Sequence, residues 1–348
     1  MVGSSPNVKG GITTVINHFR NNKFSNDVKI TFLSTYVEST KIKMMSYYIF
    51  SLFKLIFLLL FKNIDVVHIH MSERGSFVRK YFIFTLSKTF NKKIIIHMHG
   101  AEFHEFYVSS SKFLKKCIVK LLKDSDIVIA LGNQWKKRIL DIEPDTNIKV
   151  LKNAVDIPML PKKVKVNTIH VLFLAVLIKR KGIVDLVHAA SKLVGNLYDK
   201  YNIVFDIGGS GAEEMEVKEL VNKLGLSENF KFHGWIGNAK KKELLSKADI
   251  FVLPSYNEGL PMSILEAMSY GLPIISTNVG SIDEAVISGE NGYLISPGNI
   301  EELSKAIEKI ITDNQFITMG NKSYSYALTN FSNEQYFKKV EQMYLELS

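Results

Sequence analysis

The sequence predicts an α/β protein built from two doubly wound parallel-sheet domains in series. Three observations carry this. A length of 348 residues suits about two domains, each with its own core. Short, nearly unbroken β-branched runs alternate with longer amphipathic segments, the pattern of strands covered on both faces by crossover helices. The alternation is interrupted once, at "DIPMLPKKVKVNT", where prolines and a lysine cluster read as a linker.

In chain order, the strands expected before the linker are "VKITFLS", "DVVHIH", "KIIIHMH", "DIVIAL" and "IKVL". After it come "IHVLFLA", "YNIVFDIG", "FKFHGW", "DIFVLP" and "PIISTN". The segment "NEQYFKKVEQMYLELS" reads as an amphipathic helix with no strand after it. The expected divisions are 1–157, a linker at 158–168, a second domain at 169–325, and a terminal helical part at 326–348. Ligands of such sheets bind beyond the carboxyl ends of strands, and two sheets facing each other would make a cleft. The most apolar stretch runs from Met44 to Phe61 and is marginal in length for a membrane span, with Lys54 interrupting it. Phe50, Phe53, Phe57 and Phe61 recur there at helical spacing, so a helix packed on the core is expected, with a membrane-lying helix as the second reading.

An ordinary globular composition, 46% hydrophobic and 22% charged, excludes disordered and collagen-like chains. A single cysteine, Cys117, excludes an internal disulfide and fits a cytosolic home. The start "MVGSSPNVKGGITTV" has no basic region ahead of an apolar stretch, so no signal peptide is expected. The net charge of +10 is uneven, because residues 1–160 hold 24 Lys/Arg against 12 Asp/Glu. That half should prefer an anionic surface. The helix "KFLKKCIVKLLK" sets Lys112, Lys115, Lys116, Lys120 and Lys123 opposite Phe113, Leu114, Cys117, Ile118, Leu121 and Leu122. Core packing and solvation account for it, and so would attachment to anionic lipid, at about 1 kcal/mol per basic residue near the surface. No nucleic-acid reader motif accompanies it.

The chemistry concentrates in "PSYNEGLPMSILEAMSYGLPII". "DIFVLP" is a buried strand and "SYNEGLP" the turn after it. Pro261 suits the first turn of the next helix, and Gly271 suits its end. Glu258 then lies in the loop and Glu266 one to two turns into the helix. Free N–H groups at that helix start favour an anion. Flanking carboxylates would accept hydrogen bonds from vicinal hydroxyls. A nucleotide-diphosphate sugar has this layout, hydroxyl-rich at both ends and anionic in the middle. The plainer alternative makes Glu266 a surface helix residue and Glu258 a cap.

With its "E-G-L-P…E-A-M…G-L-P" run, this sequence resembles the GT-B-fold retaining glycosyltransferases of the fourth sequence family, which includes bacterial polysaccharide and lipopolysaccharide enzymes. The resemblance covers nearly the whole chain. It implies two Rossmann-like domains, the first for the acceptor and the second for the nucleotide-sugar, with a final helix packing back on the first. It implies that Glu258 contacts the donor sugar, that Glu266 holds the ribose hydroxyls, and that Gly259 and Leu260 present backbone N–H groups. "VGSIDEAV" and "NGYLI" match further family signatures. "VKGGITTV" resembles the amino-terminal glycine loop, where Gly10 and Gly11 would approach the diphosphate. "LIKRKG" resembles the phosphate-binding segment with Lys181 as its lysine. Val176 stands where the family has an arginine, and Arg180 or Lys179 would supply that charge. "IGGSGAEE" resembles the Gly-rich turn, with Asp206 before it and Gly209 within it, and "FHGWI" puts Trp235 near the nucleobase. "KNAVD" has Ala154 where the family has glycine. A first strand is expected before "GSSPNVKGG", where only Met-Val stands, so that strand is either very short or the start is internal to the reading frame.

His68 and His70 share one strand face, as do His97 and His99. Four imidazoles could hold a metal, but no acidic ligand cluster accompanies them. By resemblance His99 sits at the strand end facing the donor sugar, with Glu102 toward the acceptor. Arg74, Arg79 and Lys80 either meet an acceptor phosphate or are solvated loop charges. The expectation is a metal-independent, retaining hexosyltransferase with no cofactor beyond its nucleotide-sugar, expected to be UDP-linked. Lys181, the helix start after Glu258 and the Gly10–Gly11 loop would hold the leaving diphosphate. Its acceptor would be a lipid-linked glycan at the inner face of the plasma membrane, where the anionic surface would hold the protein as a peripheral cytoplasmic enzyme. Two other classes stand against this: an inactive GT-B-like protein binding anionic membrane, and a metallohydrolase built on the histidines.

Overall fold

The computed structural model describes residues 1–8, 10–160, 168–193, 197 and 200–348. Most of the expected linker at 158–168 lies outside these. The chain divides into two compact units, Met1–Asn153 with Asn333–Ser348, and Ala154–Ser332.

The first unit carries a six-stranded, wholly parallel sheet of β1 (Val2–Gly3), β2 (Leu33–Ser34), β3 (Val66–Met71), β4 (Lys93–Met98), β5 (Ile127–Ala130) and β6 (Ile148–Val150), in the order β2-β1-β3-β4-β5-β6. Its helices are α1 (Gly11–Asn21), α2 (Lys41–Phe61), α3 (Gly75–Thr89), α4 (Phe103–Ser109), α5 (Lys112–Asp124) and α6 (Asn133–Ile142). β3 and β4 are buried on both faces, which explains their unbroken apolarity. β2 is shorter than "VKITFLS" suggests. β1 offers it only two partners, Val2 for Leu33 and Gly3 for Ser34, so the ladder ends there.

The second unit holds β7 (Thr168–Leu174), β8 (Asn202–Gly208), β9 (Phe230–Phe232), β10 (Ile250–Leu253), β11 (Ile274–Thr277) and β12 (Gly292–Ile295). Their order is β12-β11-β10-β7-β8-β9, again all parallel. Around them lie α7 (Ile183–Ser191), α8 (Glu214–Lys223), α9 (Asn238–Lys247), α10 (Met262–Ser269), α11 (Ile300–Thr312) and α12 (Phe316–Asn330). The strand β12 was hidden in the sequence by its Asn-Gly start. Gly292 is needed there because a Cβ would lie 1.9 Å from the Ile274 carbonyl oxygen.

The last helix, α13 (Asn333–Leu345), belongs to the first unit. Tyr344 Oη lies 2.7 Å from His68 Nδ1, Glu346 pairs with Lys149 at 2.5 Å, and Phe337 meets the Phe19 ring edge-on at 5.0 Å. The division expected at 325–326 falls inside α12, and the chain changes units at 332–333.

Two packing expectations are corrected. The phenylalanine stripe of α2 does not face the core: Ser51, Leu55 and Leu59 are buried, whereas Phe50, Phe53, Phe57 and Phe61 are exposed on the opposite side. In α5, Cys117, Ile118, Leu121 and Leu122 are buried and Leu114 packs against the core as expected, but Phe113 is 77% exposed.

Candidate active site

In the second sheet β7 leads outward through β8 to β9, and the chain then returns to place β10 on the other side of β7. The strand order reverses between β7 and β10, the position at which doubly wound sheets bind ligands beyond the strand ends. Lys181 follows β7 and Glu258 follows β10, so the chain's winding brings these two residues to one place.

The contact between them is direct. The Lys181 ammonium donates to Glu258 Oε1, and Ser255 Oγ donates to the same oxygen at 2.8 Å. Both side chains are largely buried, at 15% and 8% exposure. Arg180 Nη1 lies 3.9 Å from Glu258 Oε2 and donates to the Asn257 carbonyl at 2.6 Å. Its own carbonyl accepts from Tyr256 N–H at 2.8 Å. A carboxylate so held keeps its geometry but retains lone pairs for a further donor. Val176 is apolar and half exposed, so the cations of this loop are the ones at 179–181.

Close backbone approach sets the loops. Gly182, at φ 70°, would put a Cβ 2.1 Å from the Pro254 carbonyl oxygen, and Gly209, at φ 143°, 1.8 Å from that of Ala175. Gly209 N–H donates to the Gly234 carbonyl at 2.8 Å, tying the Gly-rich turn to the loop that carries Trp235, which is 45% exposed. Gly280, at φ 61°, backs the Glu258 loop, where a Cβ would lie 2.0 Å from the Glu258 carbonyl oxygen. Gly280→Ala is therefore expected to lower stability by about 2 kcal/mol or more. A melting curve checks it, and an unchanged midpoint would show that the loop yields freely.

α10 starts after Pro261, which caps it one residue ahead of the expected first turn. Gly271, at φ 68°, ends it as expected. Leu260 is buried at the loop's end. Glu266, in the second turn, pairs with Lys241 of α9 at 2.5 Å. Nothing in the pattern of α9 marks that lysine, which sits in an ordinary charged helix face. Asp206, which precedes the Gly-rich turn, is buried near the end of β8. It accepts from His170 Nδ1 and His233 Nε2, both at 2.7 Å. Burial alone would raise its pKa, but these hydrogen bonds outweigh burial and hold it below the usual carboxylate range.

In the first unit the strand order reverses between β1 and β3. Gly10, at φ 139°, caps α1, and both Gly10 and Gly11 have open space where a Cβ would stand. Arg74 and Glu102 pair with each other at 2.8 Å. Arg79 stacks over the Tyr36 ring at 4.9 Å. Lys80 is no solvated loop charge: it is buried, bonded to Thr35 Oγ1, and burial lowers its pKa to about 7. A cavity of about 130 Å³ lined by Val2, Leu55, Leu59, Val66 and Tyr344 opens at the amino ends of β1 and β3, away from these strand-end residues.

The four histidines form one stack. His70 Nδ1 lies 2.8 Å from His99 Nε2, and His68 Nε2 lies 3.3 Å from His97 Nδ1. His97 and His99 stack at 4.2 Å and 26°. Burial holds His68, His70 and His97 well below 6.5 and lowers His99 to about 3, so the stack is neutral. Nitrogens of His68, His70 and His97 come within 4.8 Å of one another. Both His68 nitrogens already have partners, Tyr344 Oη and His97 Nδ1.

The family profile described as group 1 glycosyl transferases matches residues 159–326, and that of glycosyltransferase family 4 matches residues 14–158. The chain belongs to the GT-B-fold glycosyltransferases of family four. This glycosyltransferase is 28% identical over 358 residues to an uncharacterised 41.2 kDa protein in the cps region of Klebsiella pneumoniae, covering 95% of the chain and 94% of that protein. It is 29% identical over 171 residues to the lipopolysaccharide core biosynthesis glycosyltransferase LpsE of Rhizobium meliloti, covering 49% of the chain and 46% of LpsE. The glycosyltransferase also resembles the solved structure of Anabaena HepE in complex with UDP and glucose, at a TM-score of 0.74 and 17% identity, covering 98% of this chain and 90% of that one.

Proposed function

We propose that this glycosyltransferase moves a hexose from a UDP-sugar to a hydroxyl of a lipid-linked glycan in cell-surface polysaccharide synthesis, with retention at the anomeric carbon and without a metal. The observation that carries the donor assignment is the buried Lys181–Glu258 pair at the strand-order reversal of the second sheet. The relatives named for lipopolysaccharide synthesis and for UDP binding support the pathway and the nucleotide.

Each residue then has a task. Glu258, anchored by Lys181 and Ser255, accepts from hydroxyls of the donor sugar. Lys181 also faces the diphosphate, and together with Arg180 and the start of α10 it offsets the charge that gathers as the glycosidic bond breaks. Glu266 keeps one oxygen on Lys241 and gives the other to the ribose hydroxyls. The acceptor is assigned to the first unit through Arg74 and Glu102. Retention follows if the acceptor hydroxyl attacks from the leaving-group face, which requires no protein nucleophile. The location is the cytoplasmic membrane face.

Calorimetric titration with UDP-, GDP- and ADP-sugars tests the donor. The UDP-sugar should bind, and Glu266→Gln should weaken it about tenfold, the loss of a charge-assisted hydrogen bond. Absence of heat with every sugar nucleotide would overturn the proposal.

A further inference from the structure

We propose that the outward face of α2 is the surface by which this glycosyltransferase lies on an anionic bilayer, its aromatic side chains among the acyl chains and its lysines among the headgroups. This rests on the membrane-bound acceptor proposed above and names the element that meets the membrane.

α2 is long and apolar enough to cross a bilayer. It is instead held from Tyr48 to Leu59: Leu55 and Leu59 belong to the core of the first unit, with Tyr48 and Leu52 packed against it. A spanning helix would have to give up that packing, so the helix lies flat. Its other side is left to solvent, with Phe50, Phe53 and Phe61 exposed at 67%, 67% and 69%. Water is a poor environment for such a stripe, and a helix apolar on all sides normally has a partner on each. The neighbouring helix α3, bound to α2 through Tyr48 Oη and the Arg79 carbonyl at 2.8 Å, adds exposed Val78 and Phe82.

Charge selects the occupant. From Lys41 to Lys62 the chain carries four lysines and no acidic residue. All four lysines are exposed. Aromatic bulk flanked by exposed cations fits acyl chains beneath anionic headgroups. A second copy of the chain fits poorly. A two-fold contact would set this lysine-bearing, acid-free face against itself. α5 is the weaker candidate, because Lys120 and Lys123 are engaged by Asp124 and Asp145.

Co-sedimentation of the full chain with vesicles of phosphatidylglycerol and phosphatidylethanolamine tests this. The wild type should sediment, and more weakly with phosphatidylcholine alone. The doubly substituted F53E/F57E protein should lose binding at least tenfold with its melting temperature kept, whereas K112Q/K116Q on α5 should bind nearly as the wild type does. Phe57→Trp in an otherwise native chain should be quenched by bromine-labelled acyl chains, which separates insertion from surface attraction. Wild-type-like sedimentation of F53E/F57E, no sedimentation of the wild type, or a dimer in solution that F53E/F57E dissociates would each overturn the proposal. UDP-sugar titration without vesicles is read separately. A protein that binds donor but not vesicles refutes the membrane face alone, and one that binds vesicles but no sugar nucleotide refutes the transferase reading alone.

Discussion

Glu258→Gln is expected to cut sugar transfer about 100- to 1,000-fold while leaving the protein folded, the loss typical of a preorganised polar contact to the reacting group. The amide keeps the shape of the side chain and can still accept from Ser255 Oγ, which lies 2.8 Å from Oε1 in the native protein. It cannot balance Lys181, whose ammonium would then face the diphosphate without its anionic anchor. Glu258→Ala is a harsher change. It leaves Lys181 in a largely buried site with nothing to neutralise it, and breaking a buried pair from one side costs about 3–5 kcal/mol. Lost turnover in the alanine protein would therefore mix folding with chemistry. The informative measurement is kcat for the glutamine protein beside its melting temperature. Full turnover in Glu258→Gln would remove Glu258 from the site.

Acidification should destabilise the first unit steeply. His68, His70 and His97 are held well below 6.5, first by burial and then by neighbouring positive charge, and burial takes His99 to about 3. In the unfolded chain the same rings take up protons as pH falls through 6.5. The unfolded state then binds more protons than the folded one. The contribution to stability is complete above about pH 6.5 and is lost progressively below it. Each ring accounts for at most about 1.4 kcal/mol per pH unit, so the four together set an upper limit of roughly 5.5 kcal/mol per unit. Lys80, with a pKa of about 7, is mostly protonated in both states below that value and adds little to the slope. Urea unfolding followed by Trp135, which is buried in this unit, measures the slope in a Trp235→Phe background. His70→Asn should flatten it by about one proton. A stability that does not change from about pH 7 to about pH 5 would show that the stack is wetter than its packing implies.

Much of this was legible in the chain. Ten strand segments were marked by apolar runs, because strands covered on both faces must be apolar throughout. The Glu258–Glu266 segment stood out because a strand, a glycine turn and a capped helix come in immediate succession. What stayed hidden depends on neighbours distant in sequence. Lys241 is 25 positions from Glu266, and nothing in its own helix marks it. Lys80 reads as one more basic residue until Thr35 and the Gly3 carbonyl close over it. α2 misled for another reason. Its apolar residues go nearly all the way round, so spacing alone could not tell which stripe the sheet would take, and the smaller one, with Ser51, is the buried side.

The first unit is interrupted by the second: Asn333–Ser348 completes a body begun at Met1. During synthesis, the ring of Tyr344 reaches His68 only after all of Ala154–Ser332 has left the ribosome. The inserted body is continuous and can fold while the earlier one still waits, its Phe19 and His68 side uncovered. The body begun first is thus the last that can close, and its Phe19 and His68 side stays open until Asn333–Ser348 has been made.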